Sequence, residues 1–527
     1  MNTLTKHLAF HKQFAVLGLI TLITMSGCSI FHSDKGTSGP GRDQVDFTLL
    51  QINDFYEIAP LDRGTIGGAA RIATLRKKLM AENPNTYFVL AGDFLSPSLL
   101  GTLKWEGERL RGKHMVDVLN KTGLDLACFG NHEFDLDEAS LQKRINESQF
   151  DWVASNILQL KNGQVQPFAK AQNDKVNPIP THRIVRFQNQ SGAGVQVGII
   201  SPCLPANKVA FVRYEDVFES VKRELAALSG KVDFIIGLTH LNIADDLELA
   251  RRFPEIDLIL GGHDHDHMKY QIGKTVITKA DANAKTAYVH RIRFDLKKRK
   301  SKIRSELVPL HSSIALDGEV NSLVQKWKNI EYKLMRELGF DPDEVLVNLG
   351  EPYDARESTI RNQPNAFGQM ICKSISKSFP DSDCAILNSG SVRVDDMLQG
   401  QLSQYDILRS LPFGGGVIQT KMKGGLLLKT LESGWANRGS GGFLQWDRIT
   451  RDAAGRWFVG TEMLDPNAIY TVGSNDFLLT GMEKDMDYLN PKNPEVLQIY
   501  DPGKQDPQDI RRDIRLVIVN YLKKGGR

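Results

Sequence analysis

Five short apolar runs in this chain end on side chains that bind metal ions well. Each run contains branched or aromatic residues, and Asp, Asn or His follows it directly; the runs cover 48–53, 87–92, 125–130, 233–239 and 257–262. Short runs of this kind are typical of buried strands. Because binding sites in α/β proteins form at the carboxyl ends of strands, the five ends predict one shared metal-binding edge.

The polar residues after these runs supply oxygen and imidazole ligands. They are Asp54, Asp93, Asn131, His240, His263 and His265. One such residue alone is usually a turn residue or a helix cap. Their repetition after successive strands indicates a built site, and this donor set favours Mn, Fe, Co, Zn or Mg over soft metals.

The N-terminal segment predicts export rather than fold. A basic stretch with Lys6 and Lys12 precedes the apolar run 14–23, which is too short to cross a bilayer of about 30 Å. The segment ends Met-Ser-Gly-Cys at Cys28 and resembles a bacterial lipoprotein box. We therefore expect a signal peptide over 1–28, a lipid on Cys28 and a flexible tether over 29–45.

This prediction places the protein in the cell envelope, facing the periplasm or at the surface. Ser29 resembles the residue that lets such lipoproteins move to the outer membrane. An ordinary signal peptide with a chance cysteine is the alternative. In an oxidising compartment Cys372 and Cys384 could form a disulfide, but their spacing does not decide this.

The rest of the chain is too long for one ordinary core. We predict a first domain over 46–312, a joining helix over 313–340 and a second domain over 341–527. In the first domain strands alternate with amphipathic helices over 67–80, 215–228 and 243–253, and three consecutive antiparallel strands are expected over 275–278, 286–290 and 292–296. A net charge of +3 gives no reason to expect a nucleic acid polymer as partner, and we expect a monomer.

Four sequence blocks identify a family. The blocks Gly-Asp at 92–93, Gly-Asn-His-Glu-Phe-Asp at 130–135, Thr-His at 239–240 and Gly-Gly-His-Asp-His at 261–265 resemble those of the calcineurin-like metallophosphoesterase superfamily. Within it, the chain is similar to the bacterial and ecto-5′-nucleotidases over about residues 46–500. The resemblance implies an α/β fold with a four-layer α-β-β-α metallophosphoesterase domain and a mixed α/β 5′-nucleotidase C-terminal domain.

The resemblance also implies roles for the ligands. Asp93 would bridge two divalent or mixed-valence metal ions. One site would be completed by Asn131, His240 and His263, and the other by Asp54 and His265. His132 would stabilise the transferring phosphoryl group and the leaving oxygen, with Asp135 orienting it; a helix N-cap is the alternative role for Asp135, since 136–145 predicts a helix.

The chain departs from the family at one predicted ligand. The family has Asp-x-His in its first block, whereas this chain has Asp54-Phe55-Tyr56-Glu57. Tyr56 could bind a ferric ion as a phenolate. It could instead be a wall residue, with water or Glu57 in the ligand position, or the first metal site could be weakened or empty.

Substrate-binding residues follow from the same resemblance. The matching positions are Arg361, Asn388, Arg393, Phe413 and Phe477. In the family two aromatic rings hold the base, a stacking that suits any base, and arginines bind phosphate. Arg356 competes with Arg361 for the second arginine position.

A second departure concerns ribose recognition. The family usually has Gly-Gly-Asp-Gly after the second phenylalanine, and this chain has Gly481-Met482-Glu483-Lys484. Glu483 could replace the missing Asp. The leading prediction is a dinuclear-metal phosphohydrolase that acts on nucleoside 5′-monophosphates. The alternatives are a metallophosphoesterase for cyclic nucleotides, nucleotide sugars or other esters, and a non-catalytic binding lipoprotein.

Overall fold

The first strand lies between two cores. The computed structural model describes residues 43–526, and in the strand Gln44–Ile52 alternate side chains enter different apolar clusters. Phe47 and Leu49 belong to one cluster, and Leu50 and Ile52 belong to another. Because successive side chains of a strand point to opposite faces, both faces of this sheet are covered.

Two six-stranded sheets build the N-terminal part, residues 43–312. In spatial order the first sheet contains Lys300–Pro309, Thr286–Asp295, Gln44–Ile52, Thr86–Leu90, Leu126–Cys128 and Asp151–Val153. The second contains His182–Gln188, Gly194–Ile200, Phe234–Thr239, Leu258–Gly261, Thr275–Lys279 and Met268–Ile272. A shared cluster with Phe47, Val197 and Ile236 fills the space between the sheets.

Helices cover the outer faces of both sheets. Ala69–Glu82, Lys113–Thr122 and Glu138–Glu147 contribute to the core outside the first sheet, and Val217–Leu228 and Ile243–Arg252 contribute to the core outside the second. The order of layers is therefore α-β-β-α, as predicted. The four helices predicted in this part, over 67–80, 136–145, 215–228 and 243–253, are confirmed to within two residues at each end.

One group of strands was predicted wrongly. Thr286–Asp295 is a single strand that pairs with Lys300–Pro309, because Arg291 lies on its more accessible face and does not break it. Thr275–Lys279 belongs to the other sheet, where it runs parallel to Leu258–Gly261. The turn Ala282–Ala284, in which Asn283 has φ +58°, carries the chain from one sheet to the other.

A long helix follows the N-terminal part. Gly318–Glu337 begins where Asp317 accepts a hydrogen bond from the Val320 amide, and Gly339 with φ +91° follows its end. Its apolar side, with Val324 and Trp327, joins the same core as the helices Ala69–Glu82 and Lys113–Thr122.

The C-terminal part, residues 341–526, contains a five-stranded sheet. Its spatial order is Leu444–Asp447, Cys384–Asn388, Ile469–Asn475, Val417–Lys423 and Val496–Tyr500. The principal helices are Glu357–Ile360, Ala366–Ser378, Gln404–Ser410, Gly424–Ala436 and Ile514–Lys523. Ala385 and Leu387 face one apolar cluster and Cys384 and Ile386 face another, so this sheet is also buried on both sides.

Short hairpins and turns complete the described chain. They include Lys104–Trp105, Glu108–Arg109, Ile157–Lys161, Gln164–Gln166, Ala169–Gln172, Lys175–Pro178, Val212–Tyr214, Val345–Asn348, Tyr353–Asp354, Met397–Leu398, Gln401–Ser403, Ile449–Arg451, Trp457–Val459 and Glu462–Met463. Residues 43–526 form one compact unit, and within them we find no helix long and apolar enough to cross a membrane.

The N-terminal predictions lie largely outside the described residues. The predicted signal peptide and Cys28 precede residue 43, as does nearly all of the predicted tether. Gln44 and Val45, assigned above to the tether, already belong to the first strand. Cys128, Cys203, Cys372 and Cys384 are buried free thiols.

Candidate metal centre

Five strand ends meet at one edge of the N-terminal part. Gln44–Ile52, Thr86–Leu90 and Leu126–Cys128 are parallel neighbours in the first sheet, and Phe234–Thr239 is parallel to Leu258–Gly261 in the second. Parallel strands place their carboxyl ends at the same edge. One ligand atom each from Asp93, His240 and His263 therefore lies within 4.8 Å of the others.

We call the predicted ligands of each metal ion a half-site, and the predicted second half-site contains Asp93, Asn131, His240 and His263. His240 Nε2 lies 3.1 Å from Asp93 Oδ2, while its Nδ1 donates to the Ala91 carbonyl at 2.8 Å. This bond directs Nε2 toward the other ligands, as in metal-binding histidines generally. Asn131 Oδ1 is buried without a hydrogen-bond partner in residues 43–526, and His240 Nε2 faces the Asp93 carboxylate, so the donor set fits a bound cation.

The charges of this half-site are strongly linked. Burial opposes protonation of His240, but the Asp93 carboxylate outweighs it and raises the His240 pKa to about 9. Burial and the neighbouring His240 lower the pKa of His263 to about 4. One imidazole therefore carries the proton that a metal ion would displace, and metal binding here releases protons.

The predicted first half-site contains Asp54 and His265, and Tyr56 stands where the family has a histidine. The Tyr56 hydroxyl donates to Asp93 Oδ2 at 3.0 Å and lies 3.2 Å from His265 Nε2. His265 Nε2 lies 3.5 Å from Asp54 Oδ1. The tyrosine hydroxyl thus occupies the space between the predicted ligands of this half-site.

Tyr56 and Glu57 have different surroundings. Burial, followed by the charge of Asp93, raises the Tyr56 pKa well above its ordinary value, so its hydroxyl keeps its proton at neutral pH. Glu57 lines a small cavity with Lys328, Glu331 and other residues. Its carboxylate is therefore directed away from the ligands, and the alternative in which Glu57 fills the ligand position is wrong.

Several ligands occupy an unusual backbone region. Asp54, Asp93, His263 and His265 have φ of +50°, +56°, +83° and +60°. Non-glycine residues rarely adopt this left-handed conformation, and those that do are concentrated at functional sites. The sharp turn after each strand directs the ligand back across the edge of the sheet.

His132 and Asp135 form a pair beside the half-sites. His132 Nδ1 lies 2.8 Å from Asp135 Oδ2, and Asn207 donates to Asp135 Oδ1 at 2.7 Å. Burial lowers the His132 pKa, but Asp135 and Asp93 together raise it above its ordinary value. The N-cap alternative for Asp135 is wrong, because Asp137 caps the helix Glu138–Glu147.

Glu133 is a functional residue that sequence reasoning did not assign. Its buried carboxylate accepts hydrogen bonds from the amides of Asp93, Phe94 and Gly130 at 2.9, 2.8 and 2.6 Å. Burial raises its pKa to about 7. These bonds connect the loop that carries Asp93 with the loop that carries Asn131. In the sequence, the position of Glu133 within the block Gly-Asn-His-Glu-Phe-Asp at 130–135 could have indicated this role.

Lys279 is the second unassigned residue. It is fully buried, and its Nζ lies 2.8 Å from Asp246 and 2.5 Å from Asp264. It also donates to the Gly262 carbonyl at 2.8 Å. Lys279 therefore stabilises the loop between His263 and His265. In the sequence, a lysine at the end of an apolar strand could have indicated a buried ion pair of this kind.

The predicted phosphate-binding arginines lie in the C-terminal part. Arg361 pairs with Glu357, and the charge of Arg393 influences both Glu357 and His132. The Nε atoms of Arg361 and Arg393 are buried and lack a hydrogen-bond partner within the described part of the chain. Arg356 instead pairs with Asp354 at 2.7 Å and is exposed, which favours Arg361 over Arg356 for an anion.

The residues predicted to bind the nucleoside differ in their exposure and in their contacts. Phe413 is 52% exposed, and the Arg393 guanidinium carbon lies 5.6 Å from its ring centre. Phe477 is half-buried. Asn388 donates to Glu483 at 2.8 Å, so Glu483 lies beside a residue that is predicted to bind substrate.

Two family models match the chain in the order of its parts. The calcineurin-like phosphoesterase model matches residues 47–267, and the 5′-nucleotidase C-terminal domain model matches residues 346–490. Every residue of both half-sites lies in the first range. Arg361, Asn388, Arg393, Phe413 and Phe477 all lie in the second.

Curated relatives resemble the chain over most of its length. The chain is 24% identical to a mouse 5′-nucleotidase over 77% of this chain and 75% of that protein. It is also 24% identical to the trifunctional nucleotide phosphoesterase protein YfkN of Bacillus subtilis over 78% of this chain. The chain spans only 29% of the length of the latter.

A solved structure supports the same fold. The 5′-nucleotidase precursor from Thermus thermophilus superposes with a TM-score of 0.72, covering 91% of this chain and 97% of that one. The sequence identity is 22%. At this level the similarity establishes the architecture, and the chemistry must be argued from the residues at the site.

Proposed function

The chain belongs to the calcineurin-like phosphoesterases that carry a 5′-nucleotidase C-terminal domain, and we propose that it hydrolyses nucleoside 5′-monophosphates in a metal-dependent reaction. The observation that carries this proposal is the convergence of Asp93, His240 and His263 within 4.8 Å. The buried Asn131 oxygen, which has no hydrogen-bond partner within residues 43–526, is a further candidate ligand.

We propose that two metal ions share Asp93. Asn131, His240 and His263 would hold one ion, and Asp54 and His265 would hold the other. Such a pair supplies a nucleophile at neutral pH and stabilises charge on a transferring phosphoryl group. Because the neutral Tyr56 hydroxyl occupies the space of a stronger ligand, the first half-site would bind its metal more weakly.

His132 is the proposed acid at the leaving oxygen. The Asp135 bond to Nδ1 leaves Nε2 available, and the raised pKa keeps the ring protonated over a wider range of pH. A protonated imidazole held in this orientation can donate to the nucleoside oxygen as its bond to phosphorus breaks. Positioned acids of this kind contribute about 10²- to 10⁴-fold to the rate.

The C-terminal part would bind the ester. The unpartnered Nε atoms of Arg361 and Arg393 support phosphate binding, since a guanidinium pairs well with phosphate oxygens. Phe413 and Phe477 would stack on the base. The contact between Asn388 and Glu483 supports a role for Glu483 at the ribose, where it would replace the aspartate of the family.

The proposed location is the cell envelope, with a lipid on Cys28 as the anchor. The box at 25–28 supports this proposal. In a bacterial host, wild type should incorporate labelled palmitate and sediment with membranes, and Cys28→Ser should do neither. Membrane sedimentation of Cys28→Ser equal to that of wild type would overturn the lipid anchor.

The experiment that tests the activity is a phosphate-release screen of the purified protein. The panel contains AMP and other 5′-nucleotides, a cyclic nucleotide, a nucleotide sugar and a simple phosphate ester, each with Mn²⁺, Co²⁺, Zn²⁺, Mg²⁺ or Fe²⁺. We expect release from 5′-nucleotides with at least one metal. Release that is confined to another ester would replace the proposed substrate class.

Two variants make the screen specific. His132→Gln should lower hydrolysis by about 10²-fold or more while metal content stays unchanged. His267→Gln is the matched control, because His267 is an exposed neighbour of the ligands that contacts Asp281 and no ligand. Absence of any release from wild type, or equal release from His132→Gln, would refute the proposed hydrolysis.

A further inference from the structure

A carboxylate from the C-terminal part contacts a predicted ligand of the metal centre. Asp395 Oδ2 lies 2.8 Å from Nδ1 of His265, across 130 positions of sequence. The other ring nitrogen of His265 faces the first half-site, 3.2 Å from the Tyr56 hydroxyl. His265 thus connects the edge of the N-terminal sheets to the C-terminal part.

Asp395 is itself held from both sides. Its Oδ1 accepts a hydrogen bond from the Glu357 amide at 2.8 Å, and its carbonyl accepts one from Lys285 Nζ at 3.2 Å. Its side chain is 13% exposed, and its φ is +43°. This residue therefore has little freedom to leave His265 while the C-terminal part is docked, that is, while it keeps its contacts with the N-terminal part.

The two half-sites differ in the origin of the hydrogen-bond acceptor that orients the histidine ligand. In the second half-site His240 donates to the Ala91 carbonyl, which belongs to the same part of the chain as the ligands. In the first half-site the corresponding acceptor for His265 comes from the C-terminal part. Hydrogen bonds of this kind orient a ligating imidazole, and their loss typically costs 10- to 100-fold in metal affinity.

We propose that Asp395 is a positioning residue for the first half-site: it orients His265 from the C-terminal part, so that the metal affinity of this weaker half-site depends on the contact between the C-terminal part and His265. This inference rests on the proposed metal-dependent function. By reciprocity, a metal ion bound at the first half-site stabilises the docked arrangement. The second half-site binds metal independently of docking.

Manganese titration of the metal-free full chain tests the affinity. Wild type should bind Mn²⁺ in a tight and a weak step, and Asp395→Ala should weaken the weak step by 10- to 100-fold while the tight step stays within about twofold. Asp396→Asn is the matched control, since Asp396 contacts Arg409 and Lys285 but not His265. Equal weakening of both steps, or no change in either, would overturn the proposal.

A milder variant guards against misfolding. Asp395→Asn retains one oxygen but cannot accept from both His265 and the Glu357 amide, so we expect a smaller shift of the weak step alone. If Asp395→Ala fails to fold, this variant carries the test. A weak step identical to that of wild type in Asp395→Asn would then overturn the proposal.

Amide hydrogen exchange measures the docking of the C-terminal part independently of the Mn²⁺ titration. In wild type, Mn²⁺ should slow amide exchange in residues 391–398 at the concentration of the weak step, and in Asp395→Ala it should not. Slowing that persists unchanged in Asp395→Ala would overturn the coupling. Because neither measurement uses hydrolysis, failure of the phosphatase activity and failure of this inference remain distinguishable.

Discussion

The two half-sites contain similar ligands but are held in different ways. The second is self-contained: Asp93, His240 and His263 converge within 4.8 Å, and the Ala91 carbonyl orients His240. The first contains a tyrosine hydroxyl in its centre and takes the acceptor for His265 from Asp395. The difference indicates that one half-site belongs to the sheets alone, whereas the other also depends on the C-terminal part.

The largest expected effect comes from removing a ligand of the self-contained half-site. His240→Ala should abolish the tight Mn²⁺ step and lower hydrolysis by about 10³-fold, since a catalytic metal supplies several kcal/mol of stabilisation. The weak step should remain. His290→Ala is the control, because His290 is equally buried but its ring nitrogens contact Ser305 and Gln51 rather than a predicted ligand. A tight step preserved in His240→Ala would contradict the comparison.

The second effect should strike both half-sites equally. Lys279→Met leaves Asp246 and Asp264 without their buried cation, and breaking such a pair costs about 3–5 kcal/mol of unfolding free energy. Because Lys279 holds the loop between His263 and His265, both Mn²⁺ steps should weaken together. Lys274→Met, which removes an exposed pair with Asp257, should change stability by less than about 1 kcal/mol.

Denaturant titration gives the stabilities of these two lysine variants. A loss of stability in Lys279→Met no larger than that in Lys274→Met would mean that the buried lysine does not support the loop. Selective weakening of one Mn²⁺ step would mean that Lys279 supports only one of the two half-sites.

A smaller effect should strengthen the first half-site. Tyr56→His replaces a neutral phenol with an imidazole, and we expect the weak Mn²⁺ step to tighten by about tenfold. Tyr56→Phe is the control and should give no gain. Spectroscopy with ferric iron provides the opposing outcome: an absorption band in wild type that Tyr56→Phe abolishes would make Tyr56 a phenolate ligand and reverse its assignment as a weak point.

The smallest expected effect is a pH dependence of stability that comes from Glu331, which lines a small cavity together with Glu57. Burial, followed by the charge of Glu57, raises the Glu331 pKa from 4.5 to about 8. Between these values the folded state binds more protons than the unfolded state, so the unfolding free energy falls as pH rises. The slope is at most about 1.4 kcal/mol per pH unit for this group.

Replacement of Glu331 tests this pH dependence. Glu331→Gln should flatten the decline of melting temperature between pH 6 and 8, whereas Glu337→Gln, an exposed change on the same helix, should not. An unchanged decline in Glu331→Gln would show that this carboxyl does not titrate in that window.

Much of the fold could be predicted because its signals are local. Buried strands read as apolar runs, and Gly precedes several of the ligands; at Gly92, with φ +75°, an added Cβ would lie 2.7 Å from His240 Nδ1. The helix bounds in the N-terminal part were predicted to within two residues because caps such as Asp137 are local too. The strands over 275–296 were mispredicted because sheet membership depends on a distant partner.

In the candidate site, too, features that depend on short segments could be predicted and features that depend on distant contacts could not. The sequence alone determined which residues could be ligands and in what order they follow the strands, since ligand type and strand period are properties of short segments. Only the tertiary structure decided that the Tyr56 hydroxyl lies between the ligands, that Glu57 does not, and that Lys279 and Asp395 support the loops. These contacts join residues far apart in the chain, and they exist because two sheets stack and the C-terminal part docks at their common edge.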